Sequence, residues 1–75
     1  MEIAKFIKRR RESKGIGPVE FAHLLGISYF CVHAWEDGRR IPRKNIIREL
    51  ARALGVDPEV LLIMRAADMS KRAAA

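Results

Sequence analysis

Apolar residues recur every three or four positions along most of the chain, and nowhere do they alternate with period two over a useful length. That pattern predicts an all-α protein with five helices. Helix 1 is expected over about Ile3 to Lys14, with Ile3 and Ile7 on one face, Phe6 beside them, and Gly15 as the stop. Helix 2 is expected to open with Gly17 as cap and Pro18 at the first position, where a missing N–H costs nothing. Phe21, Ala22, Leu24 and Leu25 form its inward stripe, and Gly26 ends it. Ser28 then suits the N-cap of helix 3, which runs to about Asp37 with Val32 and Trp35 inward and Gly38 as the stop. Helix 4 is expected from about Arg43 or Lys44 to Leu54, with Ile46, Ile47, Leu50, Ala53 and Leu54 inward. Asp57-Pro58 reads as a cap and first-position proline for helix 5, which carries Val60, Leu61, Ile63 and Met64. Residues 1–69 are expected to form one domain and 70–75 a short disordered tail.

The 75 residues allow one small core, and small cores favour compact helices or oligomers. The net charge of +6 points towards a polyanionic partner, nucleic acid before membrane. Yet Gly15 to Gly38 contains no Lys or Arg, so the charge flanks the paired helices 2 and 3. One cysteine excludes an intrachain disulfide framework and fits a reducing compartment. The N-terminus lacks the apolar region of a secretory signal, and the run from Val60 to Met64 is far short of a membrane span. These features predict a cytoplasmic location and no membrane association.

Spacing along the chain resembles the lambda-repressor/Cro-like helix-turn-helix domains, also called the XRE family. The resemblance rests on Ile7, Arg11 and Gly15-Ile16, then Phe21-Ala22-His23-Leu24-Leu25-Gly26-Ile27-Ser28. It continues through Val32, Trp35-Glu36-Asp37-Gly38-Arg39-Arg40-Ile41-Pro42 and Leu50-Ala51-Arg52-Ala53-Leu54-Gly55-Val56. It implies a compact five-helix lambda-repressor-like domain in which helix 3, about 28–37, enters the major groove. It also implies an ion pair between Arg11 and Glu36, tying helix 1 to the end of helix 3.

With Val32 and Trp35 inward, a turn of about 100° per residue sends Phe30, His33 and Ala34 outward, with Tyr29 on one flank. The resemblance puts the base-contacting positions on the same four residues, Tyr29, Phe30, His33 and Ala34. None is Arg, Asn or Gln, so the bidentate forks to guanine or adenine are missing. Phe30 and Ala34 suit thymine methyl groups, and readout is expected to lean on methyl contacts and DNA shape. The resemblance assigns phosphate contacts to Ser28, Arg39, Arg40, Arg43 and Lys44. It fails at helix 2, where Gly17 and Pro18 replace the usual Ser or Thr followed by a Gln that holds a phosphate. Lys8, Arg9 and Arg10 either compensate or simply solubilise helix 1.

No catalytic constellation is present, and Cys31, His33 and His23 are not spaced as metal ligands. No enzyme activity, cofactor, metal or small-molecule ligand is therefore expected. The reading is sequence-specific binding of double-stranded DNA by a small transcriptional repressor or autoregulator, of the phage or mobile-element kind. A homodimer on a pseudo-palindromic operator is expected, with Leu61, Leu62 and Met64 at the interface, unless that surface only completes the monomer core. Two other classes stay open: an antitoxin or protein-interaction module using helix 5, and a basic amphipathic peptide on a membrane surface.

Overall fold

The computed structural model describes residues 2–74 and contains five helices, with no strand among the described residues. They are α1 (Glu2–Ser13), α2 (Pro18–Leu25), α3 (Tyr29–Glu36), α4 (Lys44–Leu54) and α5 (Pro58–Ala74). The start and stop signals fall where the sequence puts them. Gly26 closes α2 in the left-handed region (φ 66°), donating its N–H to the Ala22 and His23 carbonyls. Glycine adopts that φ without a steric penalty. Two residues later Ser28 caps α3, its hydroxyl accepting the Cys31 N–H at 3.2 Å. The turn between α2 and α3 is therefore specified at both ends.

α1 packs against α3, α4 and α5, and α2 against α3 and α4. The core between them holds Ile3, Ile7, Phe21, Val32, Trp35, Ile47, Leu50, Leu54 and Leu61. Two inward assignments shift. Leu24 is exposed, because Phe21, Ala22 and Leu25 centre the buried stripe of α2 and Leu24 stands more than a quarter turn away. Ala51 is buried instead, one turn from Ile47 and beside Leu54.

Arg11 and Glu36 form the expected pair. The Arg11 Nε and Nη2 donate to the two Glu36 carboxylate oxygens at 2.7 and 2.9 Å, and Nη1 donates to the Ile16 carbonyl at 2.7 Å. The side chains are only 7% and 9% exposed. Hydrogen bonding to Glu36 is the main cause that raises the Arg11 pKa above its ordinary value, against desolvation. The guanidinium is therefore charged at every pH the fold meets.

α5 departs most from expectation. It continues as helix to Ala74, through the segment expected to be a disordered tail. Leu61, Arg65, Asp68 and Arg72 recur at helical spacing along one side, so its inner face turns from apolar to polar. The reason is what that face meets. The buried Asp68 carboxylate accepts the Ile3 N–H at 2.9 Å and the Glu2 N–H at 3.3 Å, which are orphan donors of the first turn of α1. Arg65 Nε donates to the Pro42 carbonyl at 2.8 Å, and Arg72 Nη2 to the Gly38 carbonyl at 2.7 Å. Anion meets donors and cations meet acceptors.

Candidate nucleic-acid interface

α3 owes its outer face to the burial of Val32 and Trp35 on the other side. Tyr29, His33 and Asp37 lie one turn apart and form a ridge. The Tyr29 and His33 rings stack at 5.9 Å with an interplanar angle of 8°. The His33 Nε2 stands 3.7 Å from an Asp37 oxygen, an attraction that needs a protonated imidazole. Asp37 in turn accepts from the Arg39 N–H at 3.1 Å and from the Arg39 Nε at 2.8 Å. Desolvation is the largest single influence and pushes the Asp37 carboxyl up, but the two bonds from Arg39 and the charges of Arg39 and His33 together outweigh it and hold the carboxyl below its ordinary range. The turn it supports is therefore intact at neutral pH and weakens only as pH falls below the ordinary aspartate range.

Phe30 stands beside this ridge, edge-on to Tyr29 at 5.7 Å and 76% exposed. An aromatic side chain so far out of the core contributes little to folding. Next to it lies a hollow of about 300 Å³ lined by Ser28, Phe30, Cys31, Ala34, Arg39 and Arg40. Residues expected to meet bases and residues expected to meet phosphate thus share one concavity.

Ala34 is not where the helical projection puts it. It is 7% exposed and lines the hollow instead of projecting from α3. The cause is the loop after α3, which folds back so that the Arg40 N–H donates to the Ala34 carbonyl at 3.1 Å. Projection along a lone helix cannot register a covering loop.

Ser28, Arg39, Arg40, Arg43 and Lys44 are all exposed, the last two at the N-cap and first residue of α4. Arg10 is otherwise engaged: its Nε donates to the Leu54 carbonyl at 2.9 Å and its Nη2 to the Gly55 carbonyl at 3.3 Å, closing α4. Arg10, Arg11, Arg65 and Arg72 therefore serve the fold through such bonds, and net charge overstates the free cationic surface. The start of α2 has no side-chain cap at Gly17.

Leu61 is fully buried in the monomer core, so it is removed from the expected dimer contacts. Leu62 and Met64 are half-buried against the same core, while Val60, Ile63 and Met69 are exposed. Sequence reasoning missed Asp37 as the partner that orders Arg39. The signal was there, since an Asp two residues before the N–H it accepts is a common turn device. Among the described residues no group of His, Cys, Asp and Glu is arranged to hold a metal ion, and no helix is long and apolar enough to cross a membrane.

No curated protein and no solved structure matches the chain. A family model described as a helix-turn-helix domain matches residues 2–62, which spans α1 to α4 and the start of α5. The match fits the lambda-repressor/Cro-like resemblance, and the chain belongs to the helix-turn-helix domain family.

Proposed function

We propose that this protein binds double-stranded DNA sequence-specifically, with α3 in the major groove. Tyr29, Phe30 and His33 meet base edges, and Ala34 contributes to the floor of the hollow between them and the loop. Ser28, Arg39, Arg40, Arg43 and Lys44 hold phosphates. The observation that carries this reading is the hollow beside Phe30, where an exposed aromatic on a helix without Lys or Arg adjoins two loop arginines. Grip comes from the cations, and discrimination from apolar fit and groove shape.

The biological role that suits such a module is a small repressor or autoregulator in the cytoplasm. One module of this size covers little DNA, so a homodimer on a pseudo-palindromic operator extends the contact. The exposed side of α5 at Val60 and Ile63, bordered by Leu62 and Met64, is the surface that suits the dimer.

Selection of binding sites from random duplex DNA, followed by a salt titration on the selected site, tests the reading. Four cations on phosphate predict a log–log salt slope of about −3.6 per bound protomer. Failure to enrich any sequence, or affinity that is flat with salt, contradicts it. Methyl readout makes a separate prediction. Replacing thymine by uracil at each position of the selected site is expected to weaken binding several-fold at one or two positions. A site indifferent to every replacement counts against methyl contacts by Phe30.

A further inference from the structure

Residues 63–74 lie beyond the family match, yet they form most of α5 and touch the loop that carries Arg39 and Arg40. The loop has no regular structure of its own between α3 and α4. Near its start the Gly38 carbonyl accepts from Arg72, and near its end the Pro42 carbonyl accepts from Arg65. Arg65 and Arg72 are seven residues apart, so they project from the same side of α5 two turns from one another. Between them Asp68 fastens α5 to the first turn of α1. The helix is thus anchored to the body of the domain at the point midway between its two grips on the loop.

We infer that the part of α5 from Arg65 onwards is a clamp that positions Arg39 and Arg40 for the DNA backbone, with Arg65 and Arg72 as positioning residues. The use of the clamp rests on the DNA-binding reading; the clamp itself does not. A flexible loop loses conformational freedom when its arginines settle on phosphates, and that loss opposes binding. Holding both ends beforehand removes part of the loss. Asp37 completes the arrangement by accepting from the Arg39 guanidinium.

Arg72 is exposed, so Arg72→Met leaves the core untouched and removes one hydrogen bond and one charge. In the DNA-free protein, amide hydrogen exchange reads the clamp directly. The Arg40 N–H, bonded to the Ala34 carbonyl, is expected to exchange about tenfold faster in the variant, while the Leu50 N–H in the core is unchanged. An Arg40 amide that does not respond, or a Leu50 amide that speeds up equally, overturns the inference.

The DNA arm is a double-mutant cycle on the selected duplex. Arg72→Met is expected to weaken binding about tenfold in the otherwise unaltered protein, and less than twofold when Arg39 and Arg40 are already alanine. Equal losses in both backgrounds show that Arg72 acts independently of the loop and overturn the positioning role. A responsive Arg40 amide in a protein that binds no duplex overturns the DNA reading and leaves the clamp standing.

Discussion

Replacing Arg11 by alanine is expected to destabilise the domain by about 3–5 kcal/mol, because it strands the largely desolvated Glu36 carboxylate. Both carboxylate oxygens lose their donor, and the Ile16 carbonyl loses one as well. Domains of this size have about 4–11 kcal/mol of stability in all, so the substitution removes a large part of it. The midpoint of thermal unfolding is expected to fall by more than about 10 °C. The reason is desolvation, not the strength of the pair. Two ions have been taken out of water, and with one gone the other has nothing to offset its cost. The companion variant Arg11→Met with Glu36→Leu is therefore expected to recover most of the loss, since apolar replacements of similar size leave no charge behind. Differential scanning calorimetry of the single and double variants decides this. A single variant that melts within a degree or two of the parent shows that the pair does not carry the packing of α1 on α3.

Asp68→Ala is expected to cost about 2–4 kcal/mol, although the residue lies six positions past the family match. The carboxylate is fully buried and accepts from two N–H groups at the start of α1. Its charge also faces the positive end of that helix. Alanine leaves the Ile3 donor in the core without a partner. Asp68→Asn keeps an oxygen acceptor in place, so it is expected to lose less than half as much. Chemical denaturation of the two variants gives the ranking. Equal losses for alanine and asparagine point to the charge instead of the hydrogen bonds, and no loss for either contradicts the capping role.

These two residues mark what the sequence discloses and what it hides. Arg11 and Glu36 are 25 positions apart, and nothing in their local pattern joins them; the family resemblance does. The helices themselves follow from local chemistry. Gly15, Gly17-Pro18, Gly26, Ser28, Gly38, Gly55 and Asp57-Pro58 punctuate the apolar periodicity at most boundaries. α5 is read short because hydrophobic periodicity fades after Met64. Beyond that point its inner face bonds backbone groups, and Arg65, Asp68 and Arg72 look like a solvated helix end until their partners are known. Leu61 looks available for a dimer for the complementary reason. An apolar run shows which residues avoid water, not which neighbour covers them.

The candidate interface was legible to a similar depth. Burial of Val32 and Trp35 sets the outward face, and Tyr29, Phe30 and His33 are indeed exposed on it. Ala34 is the exception, because the loop that follows α3 folds back to bond its carbonyl. The absence of Lys and Arg from Gly15 to Gly38 takes on physical content there. An apolar helix face borders two arginines whose loop is held by α5 and by Asp37.

Grip and discrimination are thus assigned to different residues, and Phe30→Ala separates them. Affinity is measured for the selected duplex and for a random duplex of equal length, in Phe30→Ala and in the double alanine variant of Arg39 and Arg40. Phe30→Ala is predicted to weaken binding to the selected duplex about tenfold and to leave the random duplex unchanged, as befits a base contact worth about 1–3 kcal/mol. The arginine variant is predicted to weaken both and to flatten the salt slope by about 1.8. A Phe30→Ala protein that keeps its full preference for the selected duplex contradicts the account.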